Sequence, residues 1–129
     1  MDALSLSESD IKDIKETVNA FTRCLVSQDF ARWVTHWAED GVLMPPGRPR
    51  VSGHKSLVEF IQKHYPDVQS FELSDWKVMG EGDWSAVSNN IRWTAGPSKQ
   101  ATAAKQIMVL NKDSAQKWRF KAIIFNEGV

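Results

Sequence analysis

The hydrophobic period of this chain changes at Tyr65-Pro66, and that change limits the folds open to it. Before this point apolar residues recur at steps of three and four, and after it they alternate. Ser7, Glu8, Ser9 and Asp10 offer N-cap candidates, after which Ile11, Ile14, Val18, Phe21 and Leu25 fall on one stripe with Cys24 alongside. The spacing predicts an amphipathic helix over about residues 8–28. Gln28-Asp29 breaks it, and a second, short helix is expected with Phe30, Trp33, Val34 and Trp37 on one face. Pro45, Pro46, Gly47 and Pro49 forbid more helix and force an extended or turning path. A third helix is predicted over Lys55–His64, with Leu57, Phe60, Ile61 and His64 on its stripe. Pro66 closes it, because the residue before a proline avoids the helical region.

Beyond Pro66 the alternation predicts strands at Phe71–Met79, Trp84–Ala95, Ala101–Asn111 and Lys117–Asn126. Gly80-Glu81-Gly82-Asp83, Gly96-Pro97 and "KDSAQ" supply the turns between them. Helices first and a four-strand meander second imply an α+β fold, with helices on one face of an antiparallel sheet. The 129 residues suit one domain, 1–129, without internal repeats or linkers.

Composition removes several function classes. Sixteen basic side chains balance sixteen acidic ones, so no net field favours nucleic acid or an anionic membrane. No apolar run approaches the roughly eighteen residues of a bilayer span, and "MDALSLSESD" lacks the basic and apolar regions of a secretory signal. The single cysteine, Cys24, has no intrachain partner, which fits a cytoplasmic protein. His36, His54 and His64 lack metal-ligand spacing, and no phosphate-binding glycine loop or nucleophile elbow is present. Neither a metal nor another cofactor is expected.

Three segments carry a family resemblance. "QDFARWVTHWAEDGVLMPPG", "GDWSAVSNNIRWTAG" and "KQIMVLNKDSAQKWRFKAIIFNEG" resemble, in order, the second helix with first strand, a central strand and the closing hairpin of the nuclear-transport-factor-2-like superfamily, which includes ketosteroid isomerase and the SnoaL-like cyclases. The resemblance implies a cone-shaped curved sheet wrapped around the N-terminal helices, an apolar cavity and a sheet-mediated homodimer. It also implies that Phe21, Trp33, Trp37, Met44, Phe60, Trp93, Met108 and Phe125 line the cavity. Ketosteroid-isomerase-type members place a carboxylate base just before the proline of the first strand, the position of Met44 here. Their oxyanion tyrosine falls near Phe21, and their neutral aspartic acid near Ile107 or Met108. A base and two hydrogen-bond donors are what enolisation requires, and all three positions are apolar in this chain.

The polar candidates are therefore His36, His64 and Asn89. His36 sits between Trp33 and Trp37, either as an acid–base group in the cavity or as a histidine at the edge of the apolar face or facing solvent. His64 either lines the cone mouth or bonds the carbonyls at its helix end. His54 is expected in a solvated turn. Asn89 shares a strand face with Val87, Ile91 and Trp93, opposite Ala86, Ser88, Asn90 and Arg92, and either face could be the inner one. Two functions stay open: binding of a small hydrophobic or amphipathic molecule, with or without cyclase, isomerase or dehydratase chemistry, and a non-enzymatic dimerisation module with a closed core.

Overall fold

The computed structural model describes residues 5–128. Helix α1, Glu8–Val26, opens with Ser7, whose hydroxyl accepts from the Asp10 amide at 3.0 Å. Ile14, Val18, Cys24 and Leu25 are its buried stripe. Helix α2, Phe30–Thr35, is capped by Asp29, whose carboxylate accepts from the Arg32 amide. The sequence pattern extended that helix through Trp37. Instead, His36 ends it and Trp37 opens strand β1, Trp37–Met44. A two-residue strand β2, Val51–Ser52, pairs back on β1 and was not foreseen. Helix α3, His54–His64, buries Leu57 and Ile61 and ends at Tyr65.

Strands β3 (Val68–Glu81), β4 (Trp84–Ala95), β5 (Gln100–Lys112) and β6 (Trp118–Glu127) form the expected antiparallel meander. The sheet has six strands in the order β2-β1-β6-β5-β4-β3. β1 pairs parallel to β6, so the sheet is mixed at one end. This union breaks register between Trp37 and Val42, which pair with Phe120 and Ala122. Residues of the intervening bulge are held from β6, where Lys121 donates to both carboxylate oxygens of Asp40 at 2.8 Å. Gly41 is required there: a Cβ would lie 2.6 Å from the Trp37 ring. Bulges of this kind re-aim the side chains around them.

The helices cover the concave face of the sheet. In β4 the inner residues are Val87, Asn89, Ile91 and Trp93, all buried, while Asn90 and Arg92 are exposed. Of the two registers open from sequence, this is the one the chain adopts. The reason is energetic, since the other would bury Arg92 and expose three large apolar groups.

A candidate ligand cavity and its polar wall

The helices and concave face line a cavity of about 70 Å³ that is open to solvent on one side. Phe21 and Leu25 of α1 and Trp33 of α2 form one wall, with Trp37 and Leu43 of β1 beside them. Ile61 and Tyr65 close it from α3, and Phe71, Ile91, Trp93, Ile123 and Phe125 line it from the sheet. The aromatic groups are interlocked: Phe21 stacks on Trp33 at 5.2 Å and meets Phe120 at 4.4 Å, while Trp37 lies edge-on to Trp33 at 5.8 Å. Such pairs stabilise by about 0.5–1.5 kcal/mol each beyond simple burial. Phe21, Tyr65, Phe71 and Phe125 are only partly buried, which marks the side nearest solvent.

Two lining residues are polar. Tyr65 has its phenol pushed up from the ordinary value by burial, with the Glu127 carboxylate adding to the effect. Gln106 of β5 was missed in the sequence, although it stands at an inner position with Ala104, Met108 and Leu110. Its Nε2 donates to Asn89 Oδ1 at 2.9 Å. Asn89 is 3% exposed, and its Nδ2 has no partner among the described residues. The indole N–H groups of Trp33 and Trp37 are likewise buried without an acceptor.

The other candidates are distributed differently. Phe21, Trp33, Trp37, Trp93 and Phe125 line the cavity together. Met44 does not. Strand alternation gives the inward place to Leu43 and pairs Met44 with Ile124 on the opposite face. Met108 is inward and 1% exposed, but it packs in the core below the cavity lining, and Ile107 points outward at 49% exposure. Phe60 sits on the flank of α3, against His64 at 4.7 Å and Tyr65 at 6.0 Å, and leaves the lining to Ile61 and Tyr65.

His36 does not line the cavity. It faces a separate groove with Asp13, Glu16, Lys117 and Arg119, because it caps α2 and its Nδ1 donates to the Arg32 carbonyl at 3.1 Å. Burial lowers its pKa, favouring the neutral ring. His64 lies at the end of α3, outside the cavity; its pKa is lowered too, by desolvation first and then by the nearby charges of Arg48 and Lys63. His54, expected in solvent, is partly buried and donates Nε2–H to the Trp37 carbonyl at 2.9 Å, fixing α3 to β1. Among the described residues, no three His, Cys, Asp or Glu side chains converge as a metal site requires, and no helix is long and apolar enough to cross a membrane.

With this geometry in view, the SnoaL-like domain model matches residues 18–121. The chain belongs to the SnoaL-like domain family. No curated protein matches its sequence. Among solved structures, it is similar to a ketosteroid isomerase-like protein from Erwinia carotovora atroseptica, at 20% identity and a TM-score of 0.80, covering 95% of this chain and 99% of that one. A protein of unknown function with a cystatin-like fold from Nostoc punctiforme gives a TM-score of 0.84 at 15% identity, over 97% of this chain and 96% of that one. A dehydratase candidate of the NTF2-like family from Streptomyces avermitilis gives 0.81 at 18% identity, over 95% and 98%. At such identities the likeness is one of fold, and the chemistry of this SnoaL-like chain depends on its own residues.

Proposed function

We propose that the protein binds a small, neutral, largely apolar molecule in the cone cavity. The observation that carries this reading is the lining itself. Fourteen residues surround the cavity, and Tyr65 and Gln106 are the two with hydrogen-bonding side chains besides the buried indoles. Among the described residues, the lining supplies no carboxylate, imidazole, thiol or ammonium group. A charged ligand would enter without a counter-charge, at a cost of several kcal/mol. Proton abstraction next to a carbonyl needs a base within hydrogen-bond reach, and Tyr65, with its raised pKa, stays protonated at neutral pH. Binding therefore fits the cavity better than the isomerase or dehydratase chemistry of its fold relatives.

Size bounds the ligand. The cavity is about 70 Å³, roughly half of the ~150 Å³ dry cavity that accommodates benzene. A molecule of five or six heavy atoms fits with modest movement of the half-buried aromatics, and a steroid skeleton does not. Cyclopentane is a suitable probe, read by the indole N–H resonances of isotope-labelled protein. Trp33, Trp37 and Trp93 line the cavity and should shift on saturation, while Trp84, 50% exposed on the outer face, should stay still. Unmoved signals for all of the lining tryptophans would rule the reading out.

A homodimer is the second part of the proposal, and the convex face supports it. Ile107 and Ile124 oppose each other across β5 and β6 at 49% and 43% exposure, with Met44 next to Ile124 on β1. Met79 and Trp84 add exposed apolar surface. A patch of this kind suits self-association through an isologous contact. Sedimentation at micromolar concentration should find twice the 14.6 kDa chain mass, and a lone monomer would end this part of the proposal.

A further inference from the structure

The concave face is built in cross-strand rows, and one row differs from its neighbours. Val87, Met108, Ile123 and Leu43 make a wholly apolar row, and Ile91 faces Ala104 in another. Between them lie Asn89, Gln106 and Phe125, two paired amides with an aromatic ring on the β6 side. On the other side of Asn89, β3 carries a bulge. The register slips between Ser74 and Lys77, Asp75 takes a φ of 54°, and Trp76 packs, partly buried, against the core.

A buried amide N–H without a partner, as on Asn89, is costly unless something completes it. Here Asn89 spends Oδ1 on Gln106, and its Nδ2 finds nothing. Gln106 spends Nε2 on Asn89, and its Oε1 accepts from no donor among the described residues. Since Gln106 lines the cavity and Asn89 does not, Asn89 acts through its neighbour by holding the amide plane. We infer that Gln106, positioned by Asn89, is the specificity-determining group of the cavity and selects neutral alcohols over hydrocarbons of the same shape. The inference rests on the ligand-binding reading above. A ligand hydroxyl donates to Gln106 Oε1, while its hydrocarbon body takes the aromatic walls. In a low-dielectric site, a held acceptor discriminates better than one that must be ordered on binding.

The test compares cyclopentanol with cyclopentane by NMR titration of the full chain and its variants. Gln106→Leu should weaken cyclopentanol binding about five- to tenfold, as one hydrogen bond predicts, and leave cyclopentane unchanged or slightly tighter. Asn89→Leu should remove most of the same alcohol preference without altering cyclopentane, an effect that loss of packing would not give. The double variant Gln106→Leu with Asn89→Leu removes both polar groups, so it should fold at least as well as the wild type. Its alcohol loss should match that of Gln106→Leu alone, because the two residues act as a unit. Equal weakening of both probes, or an alcohol preference that survives Gln106→Leu, would overturn the inference. If neither probe binds the wild type, the ligand-binding reading falls with it. If cyclopentane binds but selectivity is indifferent to Gln106, only the inference falls.

Discussion

On the concave face, Leu43, Ile123, Met108 and Val87 form a cross-strand row in which every member is at most 5% exposed. On the convex face, Met44, Ile124, Ile107 and Ser88 form the matching row, and its two isoleucines are nearly half exposed. The strands are the same and the residue types overlap, so the difference comes from parity along the strand and from which face the helices cover. Methionine illustrates this. Met108 is locked in the core, whereas Met44, beside a proline pair, stands on the other side of the sheet.

The largest test of this comparison uses one substitution on two adjacent residues. Leu43→Asp should cost about 3–5 kcal/mol, because an acid would replace a core side chain with no partner. Met44→Asp should cost roughly 1 kcal/mol, since its carboxylate can reach water. Urea denaturation of the pair checks the gap, and equal costs would mean that the two faces are not distinguished as described. The convex face is probed next by Ile107→Glu, which should leave the monomer's stability within about 1 kcal/mol. In a two-fold contact the charge appears twice, so self-association should weaken by about 100-fold in sedimentation. A smaller effect sharpens the bulge: Asp75→Gly should stabilise the fold by about 0.5–1 kcal/mol, seen as a rise in Tm, because glycine takes the left-handed conformation freely.

The smallest effect belongs to a contact outside both faces. Lys112 bonds Asp10 at 2.7 Å, joining α1 to the end of β5, and this hydrogen bond holds the Asp10 carboxyl below its usual range. A lowered folded-state pKa contributes stability above the unfolded carboxyl pKa of about 3.9 and loses it as pH falls through the lower folded value. Asp10→Asn should therefore cost about 0.5 kcal/mol at pH 7 and close to nothing at pH 2, measured as the change in urea midpoint.

Much of the architecture could be read from the chain because periods of 3.6 and 2 are local properties. β4 falls on Trp84–Ala95 as its alternation predicts, and α3 begins one residue early. What escaped depended on long-range partners. Trp37 has helical spacing from Trp33, yet Phe120 of β6 pairs with it and draws it into a strand. The bulge after Trp37 then sets whether Leu43 or Met44 looks inward, and nothing within "EDGVLMPP" counts the residues in that bulge. His36 was left open between the cavity and its edge; α2 stops two residues before Trp37, and the ring lies in the groove beside Arg119. Asn89 was visible as a polar residue on an apolar strand face. Gln106 carried the same signal, and its significance depends on the direct pairing of the two.

The parallel union of β1 with β6 also has a consequence for how the molecule is made. Trp37 and Phe120 are partners across most of the chain, and closing so long a loop is slow compared with forming helices or neighbouring hairpins. A ribosome delivers Phe21, Trp33 and Trp37 long before the strand that covers them. Until residues 118–127 emerge, that aromatic surface has no native cover and is open to chaperones or to other nascent chains. Slowing translation within the last strand should therefore prolong the aggregation-prone stage of synthesis far more than slowing it within the first helix.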